Sequence, residues 1–342
     1  LSGTLSPQAR VGVKSTLPGT LSRVNVDIGD RVRVGQVLAT LDRRELDAQV
    51  DAAAAAINVA RATIESAEAA LASAVLERGL PIDGHVPLSL RAREVGPRVQ
   101  SLEHLRNIEM DCAAHPEALL AERRRLLENP EGVPGANLRS ALHALQRLPA
   151  VAAYDEAECA AVLVSMRSTI QVPTLRLNAT GLQPPFDRLD WDALLDKLPT
   201  DVEAEWRTAT QERRGASPAR DETFGLWSLR LVGLMHEAGV PIGAGTDTPI
   251  GFAAPGYSLH SELELLVRAG LTPLQALEAA TVRPAQFFGL ASEMGAVAEG
   301  YLADLVLLSA NPLDDITNSR RVLAVVTKGT LLSRSELDAL VR

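Results

Sequence analysis

The chain has 342 residues, of which 46% are hydrophobic, and this is enough for one large domain or two smaller ones with a substantial core. The formal net charge is −9 and no basic cluster stands out, which argues against a nucleic-acid ligand. No apolar run is long enough to cross a bilayer and no secretory signal is visible, so the sequence itself leaves the cellular location unknown.

The first part of the chain is rich in β-type residues and then in alanine. Short β-type runs alternate with glycine turns up to Leu41, which predicts a β-rich module over residues 1–42. Asp42 stands where a helix N-cap is expected. The sequence from Leu46 to Ala74 lacks glycine and proline, and its apolar residues recur three and four positions apart. This pattern predicts that residues 43–78 form a long helix suited to an antiparallel coiled coil.

Residues 18–50 carry the segment PGTLSRVNVDIGDRVRVGQVLATLDRRELDAQV. This segment resembles the biotinyl/lipoyl-like half of the periplasmic adaptor (membrane fusion) proteins of tripartite efflux pumps. Biotin and lipoyl carriers have a lysine on the next hairpin, where this chain has Leu41–Arg44, so no covalent biotin or lipoyl group is expected. The resemblance implies efflux-pump components as partners and a periplasmic origin. A generic β-hairpin followed by a surface helix is the alternative interpretation.

The composition changes near residues 75–80, and two histidines follow at similar places in successive segments. His85 is predicted to end a short buried strand, with the next helix starting at Ser89. His104 comes 19 residues after His85, just past a second strand-like piece. This spacing fits consecutive β/α units that present both imidazoles at the same rim.

A third candidate, Asp247, lies in the stretch Val240–Pro249. An amphipathic helix over residues 227–238 is predicted to end at Gly239, because a left-handed position after a helix favours a residue without Cβ. A short apolar strand is then predicted to deliver Asp247 at its carboxyl end. Neutral imidazole and carboxylate suit Zn²⁺ or a similar divalent ion, so we predict that His85, His104 and Asp247 are metal ligands.

Several motifs recur in the same order in a known superfamily. They are GHVPLSLRAREV, SLEHLRNIEMDC, VPTL, EAGVPIGAGTDTP, LHSELELLVRAGLTPLQALEAATVRPAQFFGL and GAVAEGYLADLVLLSANPLDDI. Residues 80–332 resemble the C-terminal half of the amidohydrolase superfamily, nearest to imidazolonepropionase- and prolidase-like metal-dependent hydrolases. The resemblance implies that His85 and His104 are metal ligands from strands five and six. It also implies that Asp247 ends strand eight, binds the metal and takes the proton of the attacking water.

The superfamily also uses a His-x-His pair and a lysine from the first half of its barrel. This chain has no histidine before His85, and the only earlier lysine is Lys14. The predicted fold class is therefore α/β, with a partial TIM-type (β/α) barrel made of strands 5–8. It is preceded by the lipoyl-like half-module and the long helix. The half barrel is assigned to residues 79–295, with a helical insertion at about 184–224, and a β-sandwich remnant with a final helix to residues 296–342.

Other residues are weaker candidates. His260 is a possible substrate contact, although a helix that starts with Ser258 as its N-cap and has His260 in its first turn is the simpler interpretation. Thr272 and Pro273 are predicted to cap the next helix. Cys112 and Cys159 lie far apart without metal-ligand spacing, so two ordinary buried thiols are predicted.

The sequence predicts a metal-dependent amidohydrolase-type hydrolase that acts on C–N or related bonds of a small-molecule substrate through metal-activated water. Because half of the site is absent, we expect weak or no activity and weak metal binding. Open sheet edges are expected to favour self-association. The alternative function is an adaptor subunit of an efflux system with a non-catalytic C-terminal part. A chimera joined near residues 76–80 is the favoured account of how the two resemblances came to share one chain.

Overall fold

The computed structural model describes residues 20–44, 47–48, 50, 53, 77–128, 145–215 and 222–340. The chain divides into two compact units, Leu1–Ala74 and Val75–Arg342, which are described separately. Within the described residues no helix is long and apolar enough to cross a membrane.

The described part of the first unit is a two-stranded antiparallel hairpin. Strands β1 (Leu21–Val24) and β2 (Ala39–Leu41) pair with Leu21 opposite Leu41. Asp42 accepts the Arg44 backbone N–H at 3.0 Å, but the helical segment begins at Arg44 and the Arg43 carbonyl accepts its first helical bond, so the N-cap is Arg43 and not Asp42 as predicted. The two strands do not establish a lipoyl-like half-module. Most of the predicted coiled-coil helix over residues 43–78 lies outside the described residues, so both remain predictions.

A small parallel sheet organises the second unit. Strands β3 (Asp83–Gly84), β4 (Ser101–Glu103) and β5 (Ile170–Val172) lie side by side in that order. The chain at Ile242 joins β5 through a single parallel bridge to Gln171. The mixed α/β class is confirmed, but the described strands form an open sheet and no closed barrel.

Two predicted strands differ from the structure. β3 is only two residues long, and Asp83 is exposed, so the strand before His85 is not buried. The predicted strand before Asp247 is reduced to the bridge at Ile242. Gly243 and Gly245 follow that bridge. Glycine weakens a strand because it has no side chain to pack against its neighbours. The helix predicted at Ser89 also begins later, at Ala92.

Helices connect the strands of the sheet and pack against one another. In chain order they are α1 (Ala92–Val95), α2 (Ile108–Asp111), α3 (Pro116–Glu128), α4 (Glu156–Ser165), α5 (Leu175–Asn178), α6 (Trp191–Leu195), α7 (Thr200–Gly215), α8 (Thr223–Glu237), α9 (Ser258–Arg268), α10 (Pro273–Ala280) and α11 (Val282–Phe287). The described residues also include three short 3₁₀ turns, at Gly96–Arg98, Pro185–Asp187 and Ile316–Arg320.

Local signals in the sequence correctly predict where some of these helices begin or end. α8 buries Leu231, Val232 and Met235 in the main core, and Gly239 follows in the left-handed conformation with φ 79°. Thr272 and Gln275 form a capping box at the start of α10. The prediction for Ser258 is wrong, because Ser258 is the first residue of α9 and Tyr257 is the N-cap. The Ser258 hydroxyl instead accepts the Ala254 N–H at 2.9 Å.

The segment between β5 and α8 is helical and has its own apolar cluster. Trp191 and Trp206 stack with parallel rings 5.9 Å apart, and both meet the edge of Phe252. Phe252 comes from the loop that follows Asp247, so this cluster helps to fix that loop as well as the helices α6 and α7.

The cysteines form a disulfide, which corrects the prediction of two free buried thiols. Cys112 follows α2 and Cys159 lies in α4, and their Cα atoms are 4.0 Å apart. Their separation of 47 residues in sequence hid this pairing, because only the packing of α2 against α4 brings them together.

The C-terminal part is an antiparallel sheet followed by a short helix. Strands β6 (Leu305–Leu308), β7 (Val322–Thr327) and β8 (Thr330–Ser333) pair in that order, and α12 (Arg334–Leu340) ends the described chain. The 3₁₀ turn Ile316–Arg320 packs this region against α9.

Candidate metal centre

The three predicted ligands lie close together. His104 follows β4 directly, and its Nε2 atom is 3.5 Å from Oδ2 of Asp247. The rings of His85 and His104 stack with centroids 4.9 Å apart. Residues that are up to 162 positions apart in the sequence therefore meet at the carboxyl ends of the parallel strands.

Backbone strain is concentrated at this rim. His104, Thr174 and Asp247 follow β4, β5 and the Ile242 bridge, and all three have positive φ angles of 65°, 49° and 52°. Left-handed backbone costs a residue with Cβ about 1–2 kcal/mol. Such strain persists where the surrounding structure imposes it, and it is typical of functional sites.

Thr174 fixes the orientation of the His104 ring. Its Oγ1 atom lies 2.8 Å from His104 Nδ1, so the other ring nitrogen, Nε2, is the one that faces Asp247. Metal-binding histidines are commonly held in this way, with one nitrogen bonded to a neighbour and the other left for the metal.

Two buried charged residues lie behind the ligands, and the sequence analysis did not identify either. Glu262 of α9 is fully buried and accepts the backbone N–H groups of Leu175 and Arg176 at 2.8 and 2.7 Å. Arg176 donates to the carbonyls of Thr246 and Gly251 at 2.6 and 2.9 Å. Arg176 also donates to the carbonyl of Ile250. These carbonyls belong to the loop that carries Asp247.

Burial shifts the acidity of both groups. Burial raises the pKa of Glu262 to about 7, although the two N–H donors and the Arg176 charge oppose the shift. Burial also lowers the pKa of Arg176, against the attraction of Glu262 and Asp247.

A second carboxyl, Glu103, is the last residue of β4 and directly precedes His104. Burial raises the pKa of Glu103 to about 8, with further contributions from the charge of Asp83 and from a hydrogen bond to it. A cavity of about 180 Å³ opens here and is lined mainly by apolar groups such as Ile170, Val172 and Phe287. A larger cavity of about 530 Å³ lies near the start of β5, and none of the predicted ligands lines it.

Asn107 links the loops that follow the two histidines. Its side-chain amide donates to the carbonyls of Pro87 and Leu90, both at 2.9 Å. Its carbonyl oxygen accepts from the buried guanidinium of Arg123. Asn107 has φ 63°, a conformation that asparagine tolerates better than most residues.

His260 has a different role in the structure. Its Nδ1 atom lies 2.9 Å from Ser319 Oγ, in the 3₁₀ turn near the C-terminal sheet. Burial and the neighbouring Arg320 charge lower its pKa. The contact with Ser319 places His260 in the packing of α9 against this turn, and its suggested contact with substrate stays a prediction.

The distance between two of the predicted ligand atoms can be compared with the spacing of ligands around a bound Zn²⁺. Ligand atoms about 2.0–2.2 Å from a tetrahedral Zn²⁺ lie roughly 3.3–3.6 Å apart, which agrees with the 3.5 Å between His104 Nε2 and Asp247 Oδ2. The His85 ring stacks on that of His104, at an angle of 29° between the two planes. Within the described ranges, no three His, Cys, Asp or Glu side chains already stand in a metal-binding group. The described geometry thus brings one imidazole nitrogen and one carboxylate oxygen to a distance that suits two ligands of one ion, with the His85 ring beside them.

Comparison with known proteins shows what parts of the chain are similar to. Residues 228–332 match the sequence profile of the amidohydrolase family. This segment is amidohydrolase-like. It includes Asp247 and Glu262, whereas His85 and His104 precede it.

Known relatives extend the similarity. The chain is 44% identical to ochratoxinase from Aspergillus niger over 82 residues. This aligned segment covers 23% of this chain and 16% of that protein. It is 36% identical to imidazolonepropionase from Rubrobacter xylanophilus over 104 residues. This aligned segment covers 28% of this chain and 24% of that protein. The solved structure of bottromycin amidohydrolase matches with a TM-score of 0.55 and 25% identity, over 79% of this chain and 54% of that one. The chain thus spans about half the length of that amidohydrolase.

Proposed function

We propose that the second unit forms part of a metal-dependent hydrolytic site of the amidohydrolase type, with His85, His104 and Asp247 as ligands of one divalent ion such as Zn²⁺. The observation that carries the proposal is the 3.5 Å approach of His104 Nε2 to Asp247 Oδ2, with Thr174 holding the opposite ring nitrogen. A divalent ion, when bound, supplies a Lewis acid that acidifies water and polarises the substrate.

The side chains have distinct roles in this proposal. His104 presents Nε2 because Thr174 occupies Nδ1. Asp247 keeps 29% of its side chain exposed, so one carboxylate oxygen can accept the proton of an attacking water. The same oxygen would return that proton to the leaving nitrogen or oxygen of the substrate. Amide-type bonds of small molecules are the substrate class, by analogy with the relatives.

We also propose that this chain by itself hydrolyses weakly or not at all. Within these 342 residues no histidine precedes His85 and Lys14 is the only earlier lysine, so this stretch of chain does not itself supply a His-x-His pair there. Three ligands are enough for one ion and leave no set for a second. The adaptor function would rest on residues 1–78, which the structure describes only in part, and no described contact favours it.

Metal analysis of the purified chain tests the proposal. After dialysis we expect less than one equivalent of tightly held ion, and added Zn²⁺ should bind weakly at a single site. His104→Gln and Asp247→Asn should abolish that binding. His115→Gln is the matched control, because His115 is exposed at the start of α3.

Equal Zn²⁺ binding by the wild type and by His104→Gln would refute the proposed ligands. One full equivalent of tightly bound metal that is lost in His85→Ala would instead refute the expectation of a weak, incomplete site.

A further inference from the structure

The loop that carries Asp247 has little regular structure of its own, yet it is held firmly from one side. Arg176 is only 4% exposed, and its guanidinium donates to three backbone carbonyls of residues 246–251. A planar guanidinium with fixed donor directions can hold several acceptors at once, which the single ammonium of a lysine does less well.

Glu262 anchors the start of α5 with two hydrogen bonds. Its two carboxyl oxygens accept the N–H groups of Leu175 and Arg176, and the side chain is fully buried. The residue immediately before this anchored pair is Thr174, whose hydroxyl holds His104. Glu262 therefore fixes Arg176 on one side and the support of His104 on the other.

We propose that Glu262 and Arg176 are a positioning pair that sets the separation of His104 and Asp247, although neither residue belongs to the predicted ligands. The assignment as a metal centre rests on the proposed function, but the positioning itself rests on the hydrogen bonds. Glu262 locates β5 and the start of α5, while Arg176 extends from there to the Asp247 loop. The positions of His104 and Asp247 thus both depend on the buried Glu262 side chain.

The same helix supplies a matched control. Glu264, two residues after Glu262 in α9, pairs with Arg188 and Arg320, each at 2.7 Å. This ion pair is also largely removed from solvent, with Glu264 14% exposed, but its partners lead to the helical insertion and the C-terminal turn. Loss of Glu264 should weaken packing without moving the Asp247 loop.

The experiment compares the full chain with four variants: Glu262→Gln, Arg176→Met, Arg176→Lys and the control Glu264→Gln. Hydrogen–deuterium exchange of the metal-free proteins reports the loop over residues 246–251. Titration with Co²⁺ alone reports the site, because the visible absorption of Co²⁺ depends on the geometry of its ligands. Arg176→Lys keeps the charge and decides the question if Arg176→Met does not fold.

We expect faster exchange over residues 246–251 in the Glu262 and Arg176 variants, and Glu262→Gln should also speed exchange of the Leu175 and Arg176 amides that it anchors. Co²⁺ affinity should fall about 10–100-fold with a changed absorption spectrum, the usual effect of removing an outer support of a ligand. Glu264→Gln should leave the loop exchange and the spectrum unchanged. Unaltered loop exchange in Glu262→Gln and Arg176→Lys would overturn the inference.

The two proposals fail separately. If the wild type binds no Co²⁺, the metal centre fails, and the exchange data alone then support or overturn the positioning pair. If Co²⁺ binds equally to the wild type and both sets of variants, the metal centre survives and the positioning pair is refuted.

Discussion

Gly245 is required by the packing beside the candidate site, and replacing it gives a sharp prediction. A Cβ atom at Gly245 would lie 2.5 Å from Cγ1 of Val172, whereas ordinary contacts of a Cβ atom begin near 3.4 Å. One of the two segments must therefore shift by about 1 Å, and overpacking of this kind costs about 1–3 kcal/mol. Because Asp247 lies two residues further along, the shift should also weaken metal binding.

Urea denaturation of Gly245→Ala measures the cost, and Gly84→Ala is the control, since a Cβ there would meet no atom within 4 Å. Val172→Ala removes the clashing methyl group and should itself cost about 1 kcal/mol. In that background, the additional cost of Gly245→Ala should be close to zero. Equal stability of the two glycine variants, or no rescue by Val172→Ala, would refute this reasoning.

Three further predictions concern groups other than the proposed ligands. Because burial raises the folded-state pKa of Glu262 to about 7 from 4.5, the wild type should lose up to ~3 kcal/mol of stability as pH rises from about 4.5 to 7. Glu262→Gln should lack this loss in urea titrations across that range, and parallel profiles would contradict it. Replacing Cys112 and Cys159 by serine should lower the free energy of unfolding by up to about 4 kcal/mol, since the bond closes a loop of 47 residues. A thermal melt that does not respond to reductant would exclude that effect. Asn107→Ala should cost about 2–4 kcal/mol, because it loses buried hydrogen bonds and places alanine at φ 63°. Asn107→Gly should recover the backbone part only, and equal losses in the two variants would argue against backbone strain.

Local sequence signals were reliable where the chemistry is local. Gly239, Thr272 and Pro273 mark helix ends in the structure as predicted, because capping depends on residues a few positions apart. Strands were harder to predict, since β3 and the segment at Ile242 pair too briefly to show an alternating pattern. Sheet pairing depends on partners elsewhere in the chain, and here those partners are few.

The sequence by itself determined the candidate ligands, since His85, His104 and Asp247 stand in motifs that can be recognised in order. It also determined the mixed α/β class and the amidohydrolase resemblance of the C-terminal part. Only the tertiary structure identified the supports of the site. Glu262 reaches Leu175 across 87 positions and Thr174 reaches His104 across 70, and the disulfide spans 47. Such contacts leave no periodic trace in the sequence, because they depend on how strands and helices pack and not on the neighbours of each residue.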